Sequence, residues 1–211
     1  MNTPSKIVCV GRNYADHAKE LGNAVPDTPI LFIKPSTSLR ALADGIVWPQ
    51  GQGECHFETE LCVRIGQRLT GASIEQARAA INGVTLGLDL TLRDLQNTLK
   101  GKGQPWERAK AFDGACLLGD WMAVEAVGDL RDVEFSLSIN GERRQHGLTR
   151  DMLFDVVGLV AHISQTFTLL EGDVIMTGTP AGVAALQPND QLVMSLETVL
   201  GAVSWKTAVA V

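Results

Sequence analysis

The sequence predicts a single α+β domain rich in β structure, and three observations support this. Hydrophobic and polar residues alternate over 133–139, and the Asn140-Gly141 pair that follows is the strongest hairpin signal in the chain. Apolar residues recur at a helical spacing of three to four in only one long segment, at about 150–167. The chain shows no internal repeat, low-complexity segment or linker that would separate domains.

Short apolar runs between turn residues predict the strands of the first half. The run at 6–10 ends at a glycine, the run at 30–34 lies between prolines, and residues 57–65 alternate in polarity. Residues 84–90 form a further apolar run and predict another strand. Between the first two strands, residues 13–21 predict a short polar helix or turn.

Capping residues and apolar spacing predict the helices. A serine precedes a short amphipathic helix at 74–80, and Thr91 opens a helix to about residue 100, with Asp94 completing an approximate capping box. The longest predicted helix covers 150–167. The remainder of the second half is predicted to be β structure, with residues 1–50 as a lead-in to the domain.

Charge and cysteine content limit the classes of function. With 18 basic and 24 acidic residues, the net charge is −6, and no run of Lys or Arg predicts binding to nucleic acid or an anionic membrane. An anionic small substrate stays possible, because a metal ion reverses the local sign. The four cysteines match neither a disulfide framework nor a zinc finger, so we expect buried free thiols. The sequence predicts a cytoplasmic protein without a signal peptide or membrane span.

Three carboxylates predict a metal site. Glu58 and Glu60 share one face of a predicted strand, with His56 beside them, and Asp89 ends the next strand. Burying adjacent carboxylates is costly unless a cation lies between them, and hard oxygen ligands favour Mg²⁺ or Mn²⁺. The alternatives are a solvated strand face for the glutamates and a turn or N-cap aspartate for Asp89.

Further polar motifs suggest catalytic or binding groups. His17 and Glu20 lie three residues apart, so on a helix the carboxylate can orient the imidazole as a general base; an incidental pair is the alternative. Lys110 lies between aromatic residues and could stabilise an oxyanion, or be an ordinary surface lysine. The loop at 177–183 offers glycines and hydroxyls that either bind a carboxylate or form a tight structural turn.

Together these motifs resemble the fumarylacetoacetate hydrolase family, especially its short acylpyruvase and oxaloacetate decarboxylase-like members. The matching stretches occur in family order and cover nearly the whole chain. They are residues 11–20, 31–37, 56–61, 87–96, 102–106, 109–113, 140–145 and 177–183.

The resemblance implies a mixed β-roll with few helices, usually dimeric, and an Mg²⁺ or Mn²⁺ ion. In this chain a lid segment within residues 1–50 and a catalytic domain at 51–211 would form one unit. The implied metal ligands are Glu58, Glu60 and Asp89, and the implied catalytic residues are His17, Glu20 and Lys110. The weaker implied substrate contacts are Arg12, Lys34, Arg93, Gln96 and Thr179.

The implied substrate is a small 2-oxo acid, and the leading hypothesis is hydrolysis of a C–C bond in an acylpyruvate, with release of pyruvate. The same residues are compatible with decarboxylation or tautomerisation of oxaloacetate, and with isomerisation or decarboxylation of a 2-hydroxy-dienedioate. A divalent-cation-binding protein without turnover is the hypothesis from a different class.

Overall fold

Three β-sheets and five short α-helices make up most of the computed structural model, which describes residues 3–210. The first seven strands are β1 (Lys6–Gly11), β2 (Ile30–Pro35), β3 (Leu39–Ala41), β4 (Cys55–Phe57), β5 (Thr59–Ile65), β6 (Ile81–Asp89) and β7 (Thr91–Leu92). The other seven are β8 (Cys116–Leu118), β9 (Glu134–Ile139), β10 (Glu142–Leu148), β11 (Val174–Met176), β12 (Ala184–Ala185), β13 (Gln191–Leu196) and β14 (Val203–Ala208). The helices are α1 (Ala15–Glu20), α2 (Ile74–Ala80), α3 (Arg93–Gly101), α4 (Glu107–Lys110) and α5 (Val156–Thr166).

The largest sheet has seven strands in the order β2-β1-β11-β5-β6-β8-β3. It is mixed, because β1 pairs with β11 and β3 with β8 in parallel while its other neighbours are antiparallel. A four-stranded sheet runs β10-β9-β13-β14, and a three-stranded sheet runs β12-β4-β7. The predicted α+β class with few helices is confirmed. Three strands of the seven-stranded sheet, β1 to β3, come from residues 1–50.

The main hydrophobic core joins one face of the seven-stranded sheet to the four-stranded sheet. Val63 and Leu86 from the first sheet and Leu137 and Met194 from the second are completely buried. Helix α5 packs against α2 and covers the core. Among the described residues, no helix combines the length and the hydropathy needed to cross a membrane.

The opposite face of the seven-stranded sheet, which we term the sulfur face, carries four buried sulfur-containing side chains. These are Cys9, Cys62, Cys116 and Met176. All four cysteines of the chain are buried and free, as predicted. Glu60 lies two residues from Cys62 along β5, and Asp89 pairs with Cys116, so strand alternation places both carboxylates on this face.

The predicted hairpin is confirmed in detail. Asn140 and Gly141 have φ angles of 53° and 83°, as a type I′ turn between β9 and β10 requires. A bulge between Arg143 and Gln145 interrupts the register of this pair. The β structure expected in the remainder of the second half includes β13 and β14.

Two predicted helix starts are wrong. The last helix begins at Val156 rather than at 150, because Asp155 is its N-cap and accepts a hydrogen bond of 2.9 Å from the backbone N–H of Gly158. Helix α3 begins at Arg93 and lacks the predicted capping box. Thr91 pairs with β4 instead, and the Asp94 carboxylate accepts from the backbone N–H of Glu54 at 3.1 Å.

Candidate active site

Glu58, Glu60 and Asp89 converge in the structure as the sequence predicts. Glu58 interrupts the single strand expected at 57–65, between β4 and β5, while Glu60 lies in β5 and Asp89 ends β6. The backbone N–H of Asp89 donates to the Glu58 carbonyl at 2.8 Å, which joins the two segments. One carboxylate oxygen from each residue lies within 4.8 Å of the others, and all three side chains are buried. His56 does not join them, because its Nε2 lies 3.1 Å from the exposed Glu54 carboxylate.

Three buried cationic side chains surround the carboxylates. The Lys110 ammonium donates to Glu58 Oε2 and to Asp89 Oδ2, both at 2.8 Å. Lys34 Nζ lies 2.8 Å from Asp89 Oδ1 and donates to the Lys110 carbonyl. Arg93 donates to Glu58 and, at 2.6 Å, to the Gln96 side chain. These cations offset the three carboxylate charges within the same buried cluster.

The three carboxylates differ in how well their charges are compensated. Burial favours a higher pKa for Glu58, but Lys110 and Arg93 outweigh it and hold that pKa far below its usual range. Burial and then the Asp89 charge raise the pKa of Glu60 well above its usual range, although the Gly178 backbone N–H donates to its carboxylate at 2.7 Å. A cluster of buried oxygen donors in which the Glu60 carboxylate is only weakly compensated fits a hard divalent cation, which would favour its charged form.

Lys110 is a fixed cation. Burial lowers its pKa, but the Asp89 and Glu58 carboxylates outweigh burial and raise that pKa above its usual value. Two of its three ammonium hydrogens bond to those carboxylates, which leaves one for an oxygen of a ligand. The Phe32 ring, whose centroid lies 5.2 Å from Nζ, borders the ammonium from another side.

His17 and Glu20 lie on α1, and His17 faces the carboxylates. His17 is buried, and its Nδ1 lies 3.4 Å from Glu20 Oε2. The Gly182 backbone N–H donates to both Glu20 carboxylate oxygens, at 3.0 and 3.2 Å, so the loop after β11 positions the glutamate. The carboxylate can therefore orient the imidazole toward the cleft.

The loop at 177–183 encloses one side of the site. Gly178 has a φ of +101°, and a Cβ there would lie 2.7 Å from the Asn13 Cβ, so only glycine fits. Asn13 is buried and donates from its side chain to the Thr177 carbonyl at 2.8 Å. Thr179 Oγ1 donates to the Thr59 carbonyl at 2.8 Å. These contacts fix the Gly178 N–H that faces Glu60.

Gln145 is a buried residue that supports the site, and it is not among the site residues predicted from the sequence. Its side-chain NH₂ donates to Thr179 Oγ1 at 2.8 Å and to the Pro180 carbonyl at 2.9 Å, and its Oε1 accepts from the Thr59 N–H at 3.0 Å. The residue belongs to the 140–145 motif, but the bulge before it decides which way it faces. Alternation alone gives no signal of that bulge.

A cleft opens beside the carboxylates. Nine of the eleven residues that the sequence singles out line this cleft: Arg12, His17, Glu58, Glu60, Asp89, Arg93, Gln96, Lys110 and Thr179. Lys34 does not line it, because this lysine lies fully buried behind Asp89, and Glu20 lies behind His17. Lining residues that the sequence did not indicate include Asn23, Phe32, Lys100 and Trp106.

The chain is similar to known proteins over most of its length. A family model described as fumarylacetoacetate (FAA) hydrolase C-terminal matches residues 6–206. Oxaloacetate tautomerase YcgM from Escherichia coli is 50% identical over 194 residues, which cover 92% of this chain and 89% of that protein. The mitochondrial oxaloacetate tautomerase fahd-1 from Caenorhabditis elegans is 44% identical over 195 residues, covering 92% and 91%.

A solved structure is similar over nearly the whole chain. Fumarylpyruvate hydrolase from Pseudomonas aeruginosa, in complex with Mn²⁺ and pyruvate, superposes with a TM-score of 0.89 and 34% identity. The match covers 98% of this chain and 89% of that one. The β-roll fold expected from the sequence motifs is thereby confirmed, and the named relatives are enzymes.

Proposed function

The chain belongs to the fumarylacetoacetate hydrolase family, and from that premise we propose that this enzyme catalyses keto–enol tautomerisation of oxaloacetate. The observation that carries the proposal is the buried carboxylate cluster that opens into a cleft rich in cationic side chains. The names of the two tautomerase relatives support the choice of reaction. A role confined to cation binding is set aside, because the chain is an enzyme.

Glu58, Glu60 and Asp89 are the proposed ligands of Mg²⁺ or Mn²⁺. The Mn²⁺ in the fumarylpyruvate hydrolase structure supports a divalent ion, and oxygen donors suit either metal. The bound ion supplies Lewis-acid stabilisation of negative charge on a 2-oxo acid.

Side chains of the protein are proposed to transfer the proton and to stabilise the remaining negative charge on the substrate. Tautomerisation moves a proton between C3 and the 2-oxo oxygen, and His17, held by Glu20, is the proposed base at C3. Such general base catalysis contributes on the order of 10²–10⁴-fold. Lys110 remains protonated, and its remaining N–H is the proposed donor to the enolate oxygen. Arg93, Gln96 and Thr179 are proposed substrate contacts, while Lys34 supports Asp89 from behind.

Hydrolysis of an acylpyruvate is the second candidate function. The His17–Glu20 pair favours it, since an oriented imidazole can deprotonate water as well as carbon. The similarity to a fumarylpyruvate hydrolase also supports it. Attack of water on the distal carbonyl would break the C–C bond and release pyruvate enolate. Decarboxylation of oxaloacetate reaches the same enolate without water.

Product identity distinguishes these reactions. We expect purified protein with Mg²⁺ to accelerate loss of the enol absorbance of oxaloacetate without stoichiometric pyruvate, and a chelator to abolish this. Stoichiometric pyruvate and CO₂ from oxaloacetate would instead identify a decarboxylase. Faster release of pyruvate and acetate from acetylpyruvate would identify a hydrolase, and turnover of a 2-hydroxy-dienedioate alone would identify the isomerase or decarboxylase of that substrate class.

His17→Ala tests the proposed base. We expect kcat for enol loss to fall by about 10²–10⁴-fold, with an unchanged thermal unfolding curve. The matched control is His162→Ala, because His162 is exposed on α5. Retained turnover in His17→Ala would remove His17 from the mechanism.

We also propose that the enzyme is a cytoplasmic homodimer. A groove on the sulfur face of the seven-stranded sheet supports self-association. It is lined in part by Leu39, Leu118 and Trp121. Light scattering at micromolar concentration would then give twice the chain mass, and a monomer mass would contradict the dimer.

A further inference from the structure

We propose that Lys100 and Arg12 form a second anion subsite, which holds the distal carboxylate of a dicarboxylic 2-oxo acid. This inference rests on the proposed function, because it specifies the substrate class of the same cleft. It adds a residue, Lys100, that the motifs did not indicate.

Lys100 is a cleft residue whose ammonium forms no direct ion pair within the described part of the chain. It lies in the last turn of α3, lines the cleft and is half-buried. Its ammonium donates to the Asn23 side-chain oxygen at 3.0 Å. Throughout residues 3–210, no carboxylate forms an ion pair with Lys100 or with Arg12. Both therefore present positive charge to the cleft without a direct carboxylate partner.

The electrostatics at Lys100 agree with this geometry. Burial lowers the pKa of Lys100, and the positive charges of Arg12 and Arg93 lower it further. Arg93 already donates to Glu58, whereas Arg12 has no such partner. An anion placed between Lys100 and Arg12 would relieve this repulsion and favour the charged form of the lysine.

Arg12 is held in an unfavourable backbone conformation. Its φ of 59° lies in the left-handed region, which is costly for a residue with a Cβ. The next residue, Asn13, fixes this turn, because its side chain donates to the Thr177 carbonyl and accepts from the Phe154 N–H at 2.9 Å. Strain of this kind is typical of functional positions.

Helix α3 relates the new subsite to the carboxylate cluster. Arg93, Gln96 and Lys100 follow the i, i+3, i+7 spacing of one helix face, and all three line the cleft. Arg93 contacts Glu58 at the metal end, while Lys100 lies two turns further, about 10 Å along the axis. A linear dicarboxylate can thus place its 2-oxo acid end at the cluster and its other end toward Lys100.

The subsite also affects whether a bound dicarboxylic 2-oxo acid undergoes tautomerisation or decarboxylation. In tautomerisation, the C3–H bond breaks, the 2-oxo oxygen gains a proton, and the distal carboxylate keeps its charge. In decarboxylation, the C3–C4 bond breaks, its electron pair passes to the enolate, CO₂ leaves, and C3 later takes a proton. Ion pairing to Lys100 and Arg12 stabilises the charged carboxylate, so it disfavours the loss of CO₂.

The test compares Lys100→Met with the matched control Lys102→Met, since Lys102 is exposed and outside the cleft. Mg²⁺-loaded protein is titrated calorimetrically with oxaloacetate and with pyruvate, which lacks the distal carboxylate. For Lys100→Met we expect oxaloacetate affinity to fall about 10–100-fold, in line with loss of a hydrogen bond to a charged group. Pyruvate affinity should change less than about twofold, and Lys100→Arg should restore oxaloacetate binding.

The kinetic readout is the ratio of pyruvate formed to enol consumed, which we expect to rise in Lys100→Met. Unchanged oxaloacetate affinity, or equal losses for both ligands, would overturn the subsite. The titration needs no turnover, so the subsite and the proposed reaction fail separately. If the protein shows no tautomerase activity but Lys100→Met still weakens oxaloacetate binding more than pyruvate binding, only the proposed reaction is overturned.

Discussion

Glu60 illustrates the conflict between stability and function at a single residue. Its carboxylate is buried beside Asp89 and Glu58, and its main compensation is the Gly178 N–H. Lys110 and Arg93 instead contact Glu58 or Asp89. A buried carboxylate with weak compensation is costly to ionise in the protein alone, and a cation facing it would favour its charged form.

We therefore expect Glu60→Gln to keep or increase the free energy of unfolding without metal, because it retains an acceptor for Gly178 and removes a carboxylate that burial and the Asp89 charge make costly to ionise. The stabilisation by Mg²⁺, about 2.7 kcal/mol at one hundred times Kd, should be lost. Thermal melts with and without Mg²⁺ measure both effects. Glu197→Gln is the control, since Glu197 is exposed. A large loss of metal-free stability, or an intact Mg²⁺ effect, would contradict the assignment.

Among contacts between secondary-structure elements, Asp173 links β1 to the segment before β11 through hydrogen bonds. Its carboxylate accepts hydrogen bonds from the backbone N–H groups of Ser5, Lys6 and Leu170. It also accepts from the Ser5 hydroxyl at 2.7 Å and the Lys6 ammonium at 2.5 Å. Burial raises the pKa of Asp173, but these donors outweigh burial and the net pKa is lowered.

Asp173→Asn should lower the free energy of unfolding at neutral pH by about 1–3 kcal/mol, because an NH₂ group would face existing donors. A depressed carboxyl pKa stabilises the protein above the unfolded pKa of about 3.9 and loses that effect as the pH falls below it. The difference between wild type and variant should thus shrink on acidification below about pH 4. Urea melts across that range test this, with the exposed Asp132→Asn as control. A pH-independent difference would contradict the role of the charge.

Sequence patterns predicted elements where local chemistry and tertiary packing agree. The type I′ hairpin and the strands at 6–10 and 30–34 follow directly from turn residues and apolar runs. The helix start predicted at Thr91 is wrong, because pairing with β4 outweighs the helix-capping preference of this threonine. The strand break at Glu58 was missed for a similar reason, since it depends on β4 joining a different sheet from β5.

The candidate site could be predicted as a set of residues but not as a network. The carboxylates, His17 and Lys110 belong to local motifs. The position of Lys34 behind Asp89 depends on long-range strand order, and that of Lys100 depends on the helix face that α3 turns to the cleft. Spacing along the chain places Lys100 on the same helix face as Arg93 and Gln96, but it does not show that this face borders the cleft. The position of Lys34 has no local signal at all.

The burial of all four thiols leads to a separate prediction about their reactivity. Burial raises the pKa of Cys116 to about 12, as it does for Cys55, and the pKa values of Cys9 and Cys62 are raised as well. Buried thiols that stay protonated react slowly. We expect a disulfide reagent to label none of the four in the native protein and all four in guanidinium. Rapid native labelling that abolishes turnover without unfolding would show that a thiol has a catalytic role.

At the scale of the whole molecule, the first 50 residues are structurally inseparable from the rest. Strand β1 lies between β2 and β11, and β3 forms the opposite edge of the same sheet beside β8. The same residues supply Lys34 behind Asp89 and His17 at the cleft. Residues 51–211 contain the three proposed metal ligands but lack these partners.

We therefore expect a chain of residues 51–211 alone to lack a cooperative thermal transition. Ile7, Val8 and Val10 of β1 are at most 2% exposed, and burial of each such side chain contributes about 1.5–3 kcal/mol. Their joint loss is comparable to the total stability of a typical domain, about 5–15 kcal/mol. Co-expression with residues 1–50 is the control, since recovery of a cooperative melt would assign the defect to the missing strands rather than to the break after residue 50. A sharp melt of 51–211 alone would contradict this and would make the first 50 residues a dispensable addition to the sheet.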